Sequence, residues 1–180
     1  MGRIAPLETP TGKAAELLEQ VHQALGAKPN LFRTLAVAPA ALEGFLGLFA
    51  GLGGGQLPSR LREQIALGLA ESNGCSYCLS AHTYIASNLG VSDEEIAANR
   101  DGKAGDPKVE AALRFALAVN EQRGSTTDAD WSAARNAGLT DAEIVEIVGH
   151  VALNVFTNYF NKAADTGIDF SKVEAARRTA

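Results

Sequence analysis

Hydrophobic residues recur at intervals of three and four along most of the chain. The first such segment follows Thr11 and runs to Leu25, and Gly26 then supplies a helix-ending residue. The same periodicity predicts further helices that open near Asn30, Pro39, Pro58, Cys75, Ser92, Pro107, Thr127 and Thr140. No stretch alternates apolar and polar residues as paired strands do. The pattern predicts an all-α fold, a single-domain bundle of eight or nine helices over residues 1–180.

Local signals sharpen some of these boundaries. Thr140 followed by Glu143 is a capping box, and Ser92 is followed by acidic residues in the first helical turn. The glycine run 51–55 is expected to break the third helix. We expect the charged tail from Asp169 onward to be partly helical.

Composition and charge narrow the classes of function. Apolar residues make up 46% of the chain, which excludes global disorder, and the net charge is −5. The arginine pairs 60/62 and 177/178 are isolated and make no basic stripe, so we expect no nucleic-acid partner. The longest apolar region, residues 42–55, is too short and interrupted to span a bilayer. With no apolar core of a signal peptide at the N-terminus, we expect a soluble, cytoplasmic protein with no membrane partner.

The candidate chemistry lies in residues 62–82. The chain has two cysteines, Cys75 and Cys78, and on a helix these two thiols and His82 fall within roughly 60° of one another. Cys75 follows Gly74 at the predicted start of the helix, where free N–H groups and the helix dipole favour a thiolate. Two thiols beside an imidazole can form and resolve an oxidised sulfur.

A carboxylate can complete this group by orienting the imidazole or passing protons. Glu63 lies twelve positions before Cys75 on the preceding helix, and it faces the site if the two helices pack antiparallel. Glu71 is nearer to Cys75 in sequence and is a rival. The pattern does not choose between these two glutamates.

Other interpretations accompany these residues. Cys75, Cys78, His82 and Glu63 also make a possible set of zinc ligands, and the two cysteines can instead be small buried apolar residues. His150 lies on the apolar face of the last helix, where a core histidine with satisfied hydrogen bonds is the better interpretation. The stripe of Asn154, Asn158 and Asn161 fits helix packing, an oligomer contact or the lining of a site.

The spacing of Glu63, Cys75, Cys78 and His82 resembles the core of alkyl hydroperoxidase D, in the carboxymuconolactone decarboxylase superfamily. The segment 141–169 resembles the C-terminal helix of the peroxidase-related subgroup. The resemblance implies an all-α fold, a homo-oligomer, and reduction of hydroperoxides through a dithiol–disulfide cycle. No metal, flavin or haem motif is visible in the sequence, so we expect no cofactor or metal. A dithiol or a partner protein is the implied reductant.

The resemblance also implies a role for each residue. Cys78 is the implied peroxide-attacking thiol and Cys75 the resolving one, although the helix dipole favours Cys75 as the more acidic thiol. His82 and Glu63 are the implied proton relay. The best-known members carry a histidine where this chain has Tyr77. The alternatives are a carboxymuconolactone decarboxylase-like enzyme, which needs no cysteine pair, and a non-catalytic redox-sensing or zinc-binding module.

Overall fold

The computed structural model describes residues 2–176, and within this range the chain folds into helices with no strand. The nine helices are α1 (Gly12–Leu25), α2 (Asn30–Leu35), α3 (Pro39–Gly53), α4 (Ser59–Ser72), α5 (Ser76–Asn88), α6 (Asp93–Arg100), α7 (Pro107–Glu121), α8 (Asp128–Asn136) and α9 (Asp141–Ala164). The predicted all-α fold is therefore confirmed.

Short-range hydrogen bonds determine most of the helix starts. The Ser92 hydroxyl accepts a hydrogen bond from the backbone N–H of Glu95, and Thr127 and Thr140 each open a complete capping box. Gly26 ends α1 in the left-handed conformation, with φ of 70°. Helix α3 ends at Gly53, inside the glycine-rich segment 51–55, as predicted.

Helix α4 lies at the centre of the fold and packs against α5, α6, α7 and α9. Its two apolar sides enter different parts of the core. Leu61, Ile65 and Leu69 pack with residues of α7 and α9, whereas Leu67 and Ala70 pack with residues of α1, α3 and α5. Because two sides of α4 are buried in the core, its polar side chains occupy the remaining positions of the helix. There they face a cavity or an ion-pair partner.

Helices α4 and α5 form an antiparallel hairpin. Gly74 adopts a positive φ of 65° in the connection, and the backbone N–H of Cys75 donates to the carbonyl of Ala70 over 2.9 Å. One helix therefore runs back along the other. This arrangement carries Glu63, near the start of α4, to the middle of α5.

The described part of the tail after α9, residues 165–176, is not helical, contrary to the expectation. Its backbone bonds to side chains of the α4–α5 hairpin: the N–H groups of Val173 and Ala175 donate to the hydroxyls of Ser80 and Ser76. These long-range partners replace the local hydrogen bonds of a helix. The last part of the tail, residues 177–180, lies outside the described residues.

Within residues 2–176, none of the helices has the length and apolar character needed to cross a lipid bilayer.

Candidate active site

The two cysteines form a disulfide at the start of α5. Cys75 is the N-cap residue, with extended backbone angles, and its Sγ accepts a hydrogen bond from the N–H of Cys78 over 3.2 Å. Both residues are buried, but they differ in access, because Cys78 lines a cavity of about 450 Å³ and Cys75 does not. A molecule in this cavity therefore meets the sulfur of Cys78.

His82 and Glu63 face each other across the α4–α5 hairpin. The Nδ1 atom of His82 lies 2.7 Å from Oε2 of Glu63, and both side chains line the cavity that Cys78 lines. Glu71 is engaged elsewhere, since its carboxylate accepts hydrogen bonds from Arg100 and from the backbone of Ala176. The structure thus brings together Glu63, His82 and Cys78, and excludes Glu71 from the group.

The cavity wall is mostly apolar. Aromatic rings contribute much of it, and they come from α2, α3, α5 and the tail: Phe32, Phe45, Phe49, Tyr77 and Phe170. A cavity of this volume accommodates an organic molecule much larger than hydrogen peroxide.

Helix α9 supplies a polar side chain to the cysteine. The amide nitrogen of Asn161 lies 3.4 Å from Sγ of Cys78, and the side-chain oxygen of Asn161 is buried with no hydrogen-bond partner. The amide N–H can donate to a thiolate at this position. The sequence places Asn161 in the polar stripe with Asn154 and Asn158, but it does not indicate that the side chain contacts the Cys78 sulfur.

The other asparagines of that stripe have different roles. Asn154 lines the cavity, but its amide donates to the carbonyl of His150 in its own helix. Asn158 accepts a hydrogen bond from Asn73 and so attaches α9 to the α4–α5 connection. The stripe therefore divides between packing and lining of the site.

The interpretation of His150 as a satisfied core histidine is wrong. Its side chain is buried and lines the cavity, and its Nε2 atom has no hydrogen-bond partner. Burial, and secondarily the charge of Arg62, lowers the pKa of His150 below its ordinary value. A neutral imidazole with one unused nitrogen thus faces the cavity.

Tyr77 occupies the position before the second cysteine. Its hydroxyl oxygen accepts a hydrogen bond from the backbone N–H of Leu31 over 3.1 Å, and its ring packs edge-on against Phe170. Burial raises the pKa of the Tyr77 hydroxyl. These contacts connect α5 to α2 and to the tail, and they give Tyr77 a structural role.

Residues 39–121 match the model of the carboxymuconolactone decarboxylase family. A solved structure described as an alkylhydroperoxidase AhpD core, a peroxidase-related protein from Ralstonia eutropha JMP134, is 26% identical with a TM-score of 0.77. The match covers 93% of this chain and 92% of that one. The chain is thus similar to the carboxymuconolactone decarboxylase family over residues 39–121 and to an alkylhydroperoxidase AhpD core over most of its length.

Two more solved structures have a similar fold. A peroxidase-related protein from Silicibacter sp. TM1040 is 23% identical, with a TM-score of 0.78 and 91% of each chain covered. The debrominase Bmp8 is 25% identical, with a TM-score of 0.77 over 92% of this chain and 91% of its own. No curated protein sequence matches the chain.

The superfamily match does not cover the whole site. It begins at the start of α3 and ends with α7, so it includes Glu63, Cys75, Cys78 and His82. Helix α9, which carries His150 and Asn161, lies outside it. The side chains that α9 contributes to the cavity therefore lie outside the segment that matches the family model.

Proposed function

We propose that this protein is a thiol-dependent peroxidase that reduces organic hydroperoxides through the Cys75–Cys78 pair. One observation carries the proposal. Cys78, disulfide-bonded to Cys75, lines the same apolar cavity as the hydrogen-bonded pair of His82 and Glu63. A sulfur nucleophile, a second thiol and a proton-transferring imidazole are the groups that this reaction needs.

In the first step the Cys78 thiolate attacks the terminal oxygen of the hydroperoxide. The O–O bond breaks, Cys78 is oxidised to a sulfenic acid that keeps this oxygen, and the organic alkoxide leaves. His82 supplies the proton that converts the alkoxide to an alcohol, and Glu63 stabilises and orients the protonated imidazole. The amide of Asn161 donates to the attacking sulfur.

In the second step the Cys75 thiolate attacks the sulfur of Cys78. The S–O bond breaks and hydroxide leaves, taking up a proton to become water. The Cα atoms of the two cysteines are 5.3 Å apart in the disulfide, within the range found for disulfide-bonded residues. Overall, two thiols are oxidised and the peroxide is reduced to an alcohol and water.

An external dithiol then restores the thiols. Since Cys78 is the sulfur that the cavity reaches, the dithiol attacks Cys78, and Cys75 leaves as a thiolate. The N–H of Cys78, in the first turn of α5, points at the Cys75 sulfur and favours its charge. A good leaving group at Cys75 and an accessible sulfur at Cys78 give the two cysteines different tasks.

A thiol count tests this function. Reduced protein is mixed with one equivalent of cumene hydroperoxide, and free thiols are titrated before and after. We expect rapid loss of two thiols per chain, reversed by dithiothreitol, and no disulfide in Cys75→Ser or Cys78→Ser. Two thiols that stay free, or stoichiometric zinc bound to the reduced protein, would contradict the proposal.

A second candidate is reductive removal of bromine from an aromatic ring. It is favoured by the aromatic wall beside Cys78 and by the likeness to the debrominase Bmp8. In this reaction the thiolate takes the halogen, the ring carbon gains a proton, and Cys75 displaces bromide from the Cys78 sulfur to form the disulfide. Bromide release from a bromophenol in the presence of dithiothreitol, lost in Cys78→Ser, would support it.

A further inference from the structure

His150 lies at the end of the cavity remote from Cys78. It is separated from Asn161 by eleven residues of α9, or about 16 Å along the helix axis, and Asn161 contacts the Cys78 sulfur. His150 is 5% exposed and lines the cavity, and its Nε2 atom has no hydrogen-bond partner. A buried polar atom without a partner costs free energy unless a bound molecule supplies the hydrogen bond.

The charged groups around His150 already have partners. The guanidinium of Arg62 donates to the carbonyls of Leu52 and Gly53 over 3.2 and 2.7 Å. The carboxylate of Glu146 accepts from backbone N–H groups at residues 56 and 57, and Glu63 bonds His82. A cationic ligand would therefore find both carboxylates already bonded, and an anionic ligand would exchange its hydration for a guanidinium that already donates to neutral backbone oxygens.

The aromatic part of the cavity wall favours a ring. The ring of Phe45 stacks on Phe49 at 5.9 Å between centroids and meets Phe32 edge-on at 5.8 Å. All three rings line the cavity. Flat faces and edges in this arrangement complement another aromatic ring better than a branched aliphatic chain.

We propose that His150 is a ligand-binding residue and that the cavity takes a neutral aromatic compound bearing a hydroxyl group, with the hydroxyl on His150. The rest of the molecule then extends toward Cys78. This inference rests on the proposed peroxidase function in one respect, which is the identity of the preferred substrate. That substrate is a ligand of this class that also carries a hydroperoxide group. Binding itself does not depend on turnover.

Calorimetric titration of the whole protein with three probes tests the inference. The probes are 4-isopropylphenol, 4-isopropyltoluene, in which a methyl replaces the hydroxyl, and 4-isopropylbenzoate. We expect the phenol to bind about tenfold more tightly than the toluene, the worth of one buried hydrogen bond. We expect the benzoate to bind no more tightly than the toluene. Equal binding of phenol and toluene, or preference for the benzoate, would overturn the proposal.

Variants at His150 assign the preference to this side chain. In His150→Leu the preference for the phenol should disappear, and in His150→Gln, which keeps a donor and an acceptor, part of it should return. Nitrogen NMR of the imidazoles gives a readout in the unmodified protein, which has three histidines. The phenol should shift the Nε2 signal of His150, with no such shift by the toluene. A phenol that binds without moving this signal would refute the assignment.

The two proposals can fail separately. If the phenol binds through His150 but hydroperoxides are not reduced, the peroxidase function is wrong and the binding site stands. If hydroperoxides are reduced but the three probes bind alike, the function stands and the inference about His150 is wrong.

Discussion

The carboxylate of Glu63 and the imidazole of His82 are held 2.7 Å apart by the antiparallel packing of α4 and α5. Glu63 bonds Nδ1, so the opposite ring nitrogen, Nε2, is left for chemistry. Both side chains are about one-fifth exposed, which leaves the pair accessible to a substrate in the cavity. The pair therefore resembles the carboxylate–imidazole arrangements that orient a general acid.

Loss of either member of this pair should slow the reaction. In Glu63→Gln and His82→Gln we expect hydroperoxide reduction to fall on the order of 100-fold, the usual worth of a positioned acid. The double variant should be little slower than His82→Gln, because Glu63 acts through His82. Single-turnover rates measure this. Glu71→Gln is the matched control, and it should lower stability through its lost Arg100 pair while changing the rate by only a few-fold.

Asn161 should increase the thiolate character of Cys78. In a Cys75→Ser background, Asn161→Ala removes the amide that contacts sulfur, and alkylation of Cys78 at pH 7 should slow about tenfold. Asn161→Asp should slow it further, since a carboxylate repels the thiolate. Asn154→Ala is the control, because Asn154 lines the same cavity but bonds its own helix. Equal alkylation rates in all four proteins would refute this role.

Tyr77 should matter for stability and little for catalysis. Tyr77→Phe removes the acceptor of the buried Leu31 N–H, which should lower the free energy of unfolding by about 1–3 kcal/mol. Urea denaturation measures this loss. The rate of hydroperoxide reduction should stay within about twofold. A large drop in rate with unchanged stability would instead place the Tyr77 hydroxyl in the proton relay.

The low pKa of His150 predicts a pH dependence of stability. Since burial lowers the folded-state pKa below the unfolded value of 6.5, the unfolded chain binds the proton more readily. The contribution of neutral His150 is fully present above pH 6.5, and it is lost as the pH falls through the folded-state pKa. Urea denaturation from pH 7.5 to 5 should therefore give a flatter profile for His150→Gln than for the unmodified protein. His22→Gln, at an exposed position of α1, is the matched control for the loss of a histidine.

The sequence predicts the helix starts and the buried helix faces, because these features depend on residues that lie close together in the chain. The starts of α6, α8 and α9 follow from capping side chains within three positions, and the apolar period reveals both buried sides of α4. The choice between Glu63 and Glu71 needs the direction of the α4–α5 hairpin, which no local pattern provides. The role of His150 needs a cavity assembled from helices up to about 120 positions away in the chain.

The tail illustrates the same limit. From Asp169 onward it contains no glycine or proline to oppose a helix, but Ser76 and Ser80 on α5 offer hydroxyls to its backbone. Those partners lie more than 90 positions earlier in the sequence. Packing between distant segments thus decides the conformation, and the composition of the tail does not.

In the proposed reaction, Cys78 is the sulfur that a hydroperoxide oxidises. The most direct test treats Cys75→Ser and Cys78→Ser separately with one equivalent of cumene hydroperoxide in the presence of dimedone, which traps sulfenic acids. Peptide mass spectrometry then locates the adduct. We expect rapid, near-complete labelling of Cys78 in Cys75→Ser and slow labelling of Cys75 in Cys78→Ser. Preferential labelling of Cys75, or no labelling of either cysteine, would contradict it.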